Sequence, residues 1–412
     1  MVCRFRIIQG RTLNDVSDTR MVARHHDQDR GGVAVRNGKI GFGLVGTGMS
    51  GGFMAKEMQF VNGGELVAVC SRNEANVSRF AKTHGARLWF TDYRRLVEHQ
   101  DVDVVIVSLP TGLHADVMIA ASNAGKHALV EKPLEINLER ADEMITTSRA
   151  NDTKLGVIFQ MRFGVVARTL KEAVDSGRLG RIFLSDAIDK SSRTAAYYNS
   201  AAWRGTKVLE GGGCMMTQSI HIIDLLQYLM GPVRSVMGRV ATHVHDIEVE
   251  DTATAVVNFE SGATGIIEST SSVRTALKSR IELHGETGTV VANAQYDRFL
   301  LWDVEGDEGR VEVEQDFEFT DIDDPWAYPQ TRHRIQLQDM VDAIREDRDP
   351  ALTGEDARVS LAIIMAIYDS SREGREVFMD SYRPATPVEG KNRGNQKRMR
   401  GSGGESHIRG FI

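Results

Sequence analysis

Cysteine is scarce in this sequence, with three residues in 412. Cys3, Cys70 and Cys214 are far apart and form neither a CxxC pair nor an even disulfide framework, so we expect free thiols and a reducing compartment. No apolar run approaches the roughly 18 to 20 residues that a membrane span requires, and the N-terminus lacks the apolar region of a signal peptide. We therefore expect a cytoplasmic protein that does not bind a membrane.

An excess of positive charge is also absent, because 57 acidic residues outnumber 50 Lys and Arg and give a formal net charge of -7. Proteins that bind nucleic acid generally carry a basic face for the phosphates, so this class of partner is disfavoured. The sequence does have an ordinary globular composition, 41% hydrophobic and 26% charged. Its length suits about two domains.

The chain divides into four segments. Residues 1–37 are polar without sustained periodicity and are predicted to be a poorly ordered leader. In 38–161, apolar strands alternate with helices, which predicts a parallel doubly wound sheet, the Rossmann dinucleotide-binding fold. In 162–388, two helices precede short strands separated by glycine turns, which predicts an α+β substrate and oligomerisation domain with a mostly antiparallel open sheet. The basic, glycine-rich segment 389–412 is predicted to be disordered.

A glycine cluster follows the first predicted strand and opens a helix. It reads Gly46-Thr47-Gly48-Met49-Ser-Gly51, the GxGxxG pattern. The first glycine permits a tight turn, the second lets the backbone approach a pyrophosphate, and the third lets helix and strand pack closely. A glycine-rich connection without a ligand is the alternative, but the flanking βαβ pattern favours a dinucleotide site.

The end of the second predicted strand bears on the choice of cofactor. An acid at this position bonds the ribose 2′-hydroxyl of NAD, whereas an arginine receives the 2′-phosphate of NADP. Here Ser71 stands where the acid would, and Arg72 follows. NADP(H) is therefore favoured, with NAD(H) as the alternative, because an Arg72 that only stacks over the adenine would suit either cofactor.

Two further motifs carry candidate chemistry. The turn Glu131-Lys132-Pro133 follows a strand at the carboxyl edge of the sheet, where open α/β folds bind ligands, although a solvated lysine is the alternative. The glycines Gly211–Gly213 open a predicted helix on which Thr217, His221 and Asp224 share one face. A structural histidine is the alternative there.

Together these motifs resemble the Gfo/Idh/MocA family, the glucose-fructose oxidoreductase and inositol dehydrogenase superfamily, over about residues 39–378. The other matching segments are Leu109-Pro110-Thr111-Gly112-Leu113-His114, Gln160-Met161-Arg162-Phe163, Trp203-Arg204 and Asp339 to Ile344. The resemblance implies a nicotinamide-dependent oxidoreductase that acts on a secondary alcohol or ketone of a sugar, sugar derivative or cyclitol. It also implies a homodimer or homotetramer.

The resemblance also implies roles for individual residues. Lys132 would hydrogen-bond the reacting oxygen and His221 would be the general base and acid, which suits an alcohol oxidation that needs a proton acceptor and a cation beside the alkoxide. With Thr217, these are the expected catalytic residues, and the substrate would meet Lys132, Arg162, Thr217 and His221. The expected cofactor contacts are Gly46, Thr47, Gly48, Met49, Gly51, Ser71, Arg72, Leu109, Pro110, Thr111, His114, Glu131, Lys132, Gln160, Arg162, Trp203 and Arg204.

Two positions depart from the family pattern. Many members have Asp four residues before the histidine, and Thr217 cannot raise the basicity of the imidazole by charge as an aspartate would. Gly112 stands where Asn is common.

His243 and His245 alternate on a predicted strand but lack a convincing third ligand, so we expect no metal. Cys214 beside the site is expected to be a small packed residue.

Two other functions remain open. A redox-neutral enzyme with tightly held cofactor would oxidise a ring hydroxyl, allow elimination or exchange, and return the hydride. A regulator that binds the cofactor without catalysis would keep the same fold, since fold alone does not determine function. The presence of both Lys132 and His221 disfavours the regulator.

Overall fold

The structure is a computed structural model that describes residues 38–307, 311 and 331–384. The predicted leader, 1–37, and the predicted tail, 389–412, lie outside the described residues. The four-segment division of the chain therefore stays a prediction.

A six-stranded parallel sheet forms the first half of the described chain, in the strand order β3-β2-β1-β4-β5-β6. The strands are β1 (Ile40–Val45), β2 (Gly64–Cys70), β3 (Leu88–Phe90), β4 (Val104–Val107), β5 (His127–Glu131) and β6 (Leu155–Ile158). The connecting helices are α1 (Met49–Met58), α2 (Glu74–His84), α3 (Tyr93–Val97), α4 (His114–Asn123) and α5 (Leu138–Ala150). This confirms the predicted Rossmann sheet.

An eight-stranded sheet follows, in the order β13-β12-β11-β7-β10-β9-β8-β14. Only β7 and β10 pair in parallel, so the predicted mostly antiparallel sheet is confirmed. The strands are β7 (Ile182–Ser192), β8 (Val233–Ala241), β9 (Thr252–Phe259), β10 (Thr264–Thr270), β11 (Ser272–Gly285), β12 (Gly288–Asn293), β13 (Arg298–Val304) and β14 (Val377–Phe378). The helices are α6 (Val165–Asp175), α7 (Ala195–Asn199), α8 (Ile220–Met230), α9 (Thr331–Arg345) and α10 (Gly354–Glu373).

Helices α8 and α10 pack against the second sheet, whereas α9 packs against the first. The apolar residues Leu337, Met340 and Val341 of α9 are buried in one cluster with Ile40 and Phe42 of β1. Helix α9 therefore comes after most of the second sheet in the chain but packs against the first sheet. No helix in the described ranges is both long and apolar enough to cross a membrane.

The structure differs from the predictions at β7 and after the end of β8. Strand β7 was not predicted, because its buried face carries the polar Ser185 and Asp189 and so lacks an apolar alternation. The prediction that His243 and His245 lie on a strand was wrong, because β8 ends at Ala241. There the Asp251 carboxylate accepts hydrogen bonds from the backbone N–H groups of both histidines, at 2.9 and 3.1 Å, and holds them in a loop.

Candidate active site

The glycine turn between β1 and α1 leaves room for a diphosphate. Gly46 has φ of +107°, and a Cβ on it would lie 1.9 Å from the carbonyl oxygen of Ser108. A Cβ on Gly51 would lie 2.2 Å from the carbonyl oxygen of Gly46, so α1 approaches the strand end closely. Gly48 is exposed with open space beside it, and the first turn of α1 carries no acid. The turn therefore fits a pyrophosphate at the helix N-terminus.

The predicted 2′-position lies directly after β2. The backbone N–H of Ser71 donates to the carbonyl oxygen of Phe90 at 3.2 Å, which fixes the chain at this edge. Arg72 is exposed, and the described part of the chain offers it no ion-pair partner within 4.0 Å. An exposed guanidinium at this position can meet a phosphate.

Lys132 lies where β5 ends, at the carboxyl edge of the first sheet. Its Nζ donates to the backbone carbonyl oxygen of Thr217 at 2.6 Å. Burial lowers the pKa of Lys132, while the negative charges of Glu131 and Glu210 oppose this effect. An ammonium group has three N–H donors, so two remain for ligands.

Glu131 and Gln160 each place an unpaired oxygen at this edge. Glu131 is 7% exposed, and one of its carboxylate oxygens accepts from the backbone N–H of Lys132 at 3.3 Å. Its other oxygen, Oε1, and the Oε1 of Gln160 are buried without a hydrogen-bond partner. Buried polar atoms are rarely left unpaired, so both fit a bound ligand with hydroxyl or amide donors, as a nicotinamide nucleoside has. Burial raises the pKa of Glu131.

His114 ties the lysine turn to the loop after β4. Its Nδ1 lies 2.9 Å from the carbonyl oxygen of Pro133, and its Nε2 lies 2.9 Å from that of Leu109. Both ring nitrogens are thus used by the protein, and His114 positions the turn from a fully buried place. Gly112 in the same loop is explained by contact, because a Cβ there would lie 2.5 Å from the carbonyl oxygen of Val208.

The predicted helical face of Thr217, His221 and Asp224 is divided in the structure. Residues Met215–Ser219 form a π-helical turn, and α8 begins at Ile220. Such turns often occur at functional sites. The glycines before it permit a close approach, since a Cβ on Gly213 would lie 1.6 Å from the carbonyl oxygen of Glu250.

Thr217 contributes its backbone rather than its side chain. Its hydroxyl donates to the carbonyl oxygen of Gly213 at 2.9 Å and contacts Gln218. Neither interaction involves His221. The hydroxyl therefore does not hold the imidazole in this structure, and the carbonyl oxygen is the atom that Thr217 presents to Lys132.

His221 is a buried imidazole, 8% exposed, whose Nδ1 has no hydrogen-bond partner. Its ring lies edge-on to Phe159 with 5.8 Å between centroids. Burial holds its pKa well below 6.5, and the positive charges of Lys132, His333 and Arg332 act in the same direction. His221 is therefore neutral near pH 7 and can accept a proton.

Arg162 has a partner that the sequence did not reveal. Its Nε and Nη2 donate to the two carboxylate oxygens of Asp224, both at 2.7 Å, and its guanidinium lies 4.6 Å from the Tyr228 ring centroid. Ser360 also donates to Asp224, at 2.7 Å. The predicted nicotinamide or substrate contact of Arg162 therefore competes with a buried ion pair.

Trp203 and Arg204 lie together in the loop before the three glycines. The Arg204 guanidinium stacks 4.5 Å from the Trp203 ring centroid and 4.0 Å from that of Tyr197. The same loop contacts the segment after β4, because the backbone N–H of Gly112 donates to the carbonyl oxygen of Leu209 at 2.9 Å. It can thus cover ligands at the sheet edge.

Several residues of the site were missed in the sequence. Glu210 is 1% exposed, its Oε1 has no partner, and burial raises its pKa to about 7. Its place directly before three glycines was an available signal. Arg332 and His333, on α9, come from far along the chain, and no local pattern marks them.

Comparisons with known proteins agree with this geometry. The family model described as "Oxidoreductase family, NAD-binding Rossmann fold" matches residues 40–159, and the GFO/IDH/MocA C-terminal domain matches residues 167–291. The chain belongs to the GFO/IDH/MocA family and is an NAD(P)-dependent oxidoreductase.

Three relatives illustrate the match. Myo-inositol 2-dehydrogenase of Thermotoga maritima is 27% identical over 346 residues, which cover 82% of this chain and 98% of that protein. The WlbA dehydrogenase from Bordetella pertussis, solved with NADH and UDP-GlcNAcA, is 29% identical with a TM-score of 0.73, covering 82% and 98% of the two chains. The Chromobacterium violaceum WlbA structure, with the same two ligands, is 30% identical with a TM-score of 0.73, covering 85% and 97%.

The Arg162–Asp224 pair generates a prediction. Arg162→Met should lower the free energy of unfolding by about 3–5 kcal/mol, because it leaves a buried carboxylate unpaired. Arg162→Met combined with Asp224→Leu should regain much of this loss, as urea unfolding would show. Arg168→Met on the exposed side of α6 is the matched control and should change stability little. If the folded double variant binds cofactor poorly, Arg162 contacts the cofactor and the ion pair is not its main role.

Proposed function

We propose that this enzyme transfers a hydride between a nicotinamide cofactor and the secondary alcohol or ketone carbon of a sugar, sugar derivative or cyclitol. The observation that carries the proposal is the pairing of a buried ammonium, Lys132, with a neutral buried imidazole, His221, at the ligand edge of a Rossmann sheet. The sugar and cyclitol names of the relatives support the substrate class.

The two groups divide the chemistry of alcohol oxidation. His221 accepts the hydroxyl proton as the substrate C–H bond breaks, and the electron pair of the O–H bond forms the carbonyl. Lys132 donates a hydrogen bond to the oxygen while negative charge develops on it. The bound nicotinamide supplies the hydride acceptor. In the reverse direction the protonated imidazole returns the proton to the alkoxide.

We also propose NADP(H) as the preferred cofactor, on the basis of Ser71 and the exposed Arg72 after β2. NAD(H) is the alternative, and the two WlbA structures hold NADH. Trp203 and Arg204 would cover the cofactor from the loop before the glycines, and Met49 and Thr47 would border the diphosphate.

The cofactor proposal predicts an unequal effect of Arg72→Ala. The change should weaken NADP(H) binding more than NAD(H) binding, because only NADP(H) offers the 2′-phosphate for a charge-assisted hydrogen bond. Fluorescence titration with both reduced cofactors measures the two affinities. Arg79→Ala, on the exposed side of α2, is the control. An equal loss for both cofactors would mean that Arg72 only stacks on the adenine.

The open face of the second sheet supports assembly into a homodimer or homotetramer. Met237, Val256 and Ile266 lie on neighbouring strands of this face and are 54%, 44% and 43% exposed. Exposed apolar patches of this kind mark interaction surfaces. Light scattering at micromolar concentration should give a mass of two or four chains, and charged substitutions at Val256 or Ile266 should reduce it. A monomeric wild-type protein contradicts the proposal.

Net cofactor reduction separates the three functions. A dehydrogenase converts oxidised to reduced cofactor with a sugar or cyclitol. A redox-neutral enzyme changes the sugar without net reduction, and a regulator does neither. Release and identification of any retained nicotinamide, followed by a substrate screen at the absorbance of the reduced cofactor, distinguishes these outcomes.

The central prediction concerns Lys132→Met and His221→Asn. Lys132→Met keeps side-chain length but removes the ammonium, so turnover should fall steeply while cofactor still binds. His221→Asn should cost on the order of 100- to 10,000-fold in kcat, partly recovered at high pH. The losses should be non-additive because both groups act on one transition state. The matched controls are Lys82→Met and His243→Asn, both at exposed positions.

The pKa of His221 adds a pH test. Because it lies well below 6.5, the neutral base persists to low pH, and the acid limb of kcat/KM that His221 controls should lie well below pH 6.5. His221→Asn should remove this limb. Near-normal turnover in either folded variant means that the assigned mechanism is wrong.

A further inference from the structure

Arg193 is a cation near Lys132, and no carboxylate of the described residues forms an ion pair with it. It follows the last residue of β7, and its backbone N–H donates to the carbonyl oxygen of Ser271 at 2.7 Å. Its Nη1 donates to the carbonyl oxygen of Ser192 at 3.1 Å. Its Nε is buried and has no hydrogen-bond partner. Burial lowers the pKa of Lys132, and the positive charge of Arg193 acts in the same direction.

Among the described residues, Arg193 forms no direct ion pair with a neighbouring carboxyl group, although its positive charge opposes the raising of the Asp189 pKa by burial. Asp189 accepts hydrogen bonds from the hydroxyls of Ser191, at 2.8 Å, and Ser219, at 3.2 Å, one on each oxygen. Glu210 accepts from the backbone N–H of Gly205. Within the described ranges, no carboxylate oxygen lies within 4.0 Å of Arg193.

The ring of Tyr197 helps to hold the guanidinium plane. The Arg193 guanidinium carbon lies 5.1 Å from the Tyr197 ring centroid, and that of Arg204 lies 4.0 Å from the same centroid. Together with the hydrogen bond from Nη1 to Ser192, this holds the guanidinium while its Nε remains without a hydrogen-bond partner. A guanidinium fork binds the two oxygens of a carboxylate or phosphate.

We propose that Arg193 binds an oxyanion carried by the substrate, so that the enzyme acts on an acidic sugar, a sugar carboxylate or a sugar phosphate. The positive charges of Arg193 and Lys132 repel each other, and a ligand anion beside Arg193 would reduce that cost while Lys132 stays with the reacting oxygen. A buried, unpaired guanidinium nitrogen gives the same substrate a charge-assisted hydrogen bond. This inference rests on the proposed function, since it concerns the substrate of that site.

Calorimetry on the cofactor-loaded protein tests the proposal with three probes: methyl β-D-glucuronide, glucose 6-phosphate and the neutral methyl β-D-glucoside. Wild-type protein should bind one of the two anions about 10- to 100-fold more tightly than the glucoside, the range expected for a hydrogen bond to a charged group. The anion that binds more tightly shows whether the substrate carries a carboxylate or a phosphate. Equal affinities, or no binding of either anion, overturn the proposal.

Variants then assign the preference to Arg193. Arg193→Gln should abolish the tighter binding of the anion and leave the affinity for the glucoside unchanged. Arg193→Lys should keep only part of the preference for the anion, because lysine lacks the planar guanidinium fork. Arg168→Gln, an exposed arginine on α6, is the control and should keep the full preference. If Arg193→Gln does not fold, a partial loss of the anion preference in Arg193→Lys tests the assignment instead. A preference that survives in either variant overturns the assignment.

Cofactor reduction, measured separately, keeps this inference distinct from the proposed function. Anion preference in binding without any cofactor reduction by sugars or cyclitols contradicts the dehydrogenase and leaves the Arg193 site standing. Reduction by neutral sugars at least as fast as by acidic ones contradicts the Arg193 proposal and leaves the dehydrogenase standing.

Discussion

The site depends on one hydrogen bond, from the Lys132 ammonium to the backbone carbonyl oxygen of Thr217. It joins the end of β5 to the turn before α8, across 85 residues of sequence. A buried ammonium is costly unless it is paired, so the surrounding structure must supply acceptors and negative charge. The turn can come this close because Gly213 has no Cβ to strike the backbone of Glu250.

Charge is distributed unevenly around that bond. Carboxyl groups of Glu131, Glu210 and Asp189 act on Lys132 and oppose the lowering of its pKa by burial. Burial, in contrast, lowers the pKa of His221, and the positive charges of Lys132, His333 and Arg332 act in the same direction. Lys132, a hydrogen-bond donor, and His221, a neutral base, therefore belong to one site. This is the combination that an alcohol oxidation requires, and it arises without an aspartate at position 217.

Much of the fold was predictable because its signals are local. The glycine turn, the alternation of apolar strands and helices, and the lysine turn each lie within a few residues, and the structure places them at one sheet edge. Strand β7 was not predictable, because a strand that lines a site carries polar residues on its buried face. Its pattern is then hidden from any search for apolar periodicity.

The sequence by itself determined which chemical groups are present and that the glycine turn and Lys132 follow strands of one parallel sheet. Only the tertiary structure decided which of those groups are free to bind a ligand. Arg162 is paired with Asp224, 62 residues away, whereas Gln160, two residues earlier, keeps a buried oxygen unpaired. The reason is physical: a hydrogen-bonding group is used by its nearest partner in space, and distance along the chain does not reveal that partner.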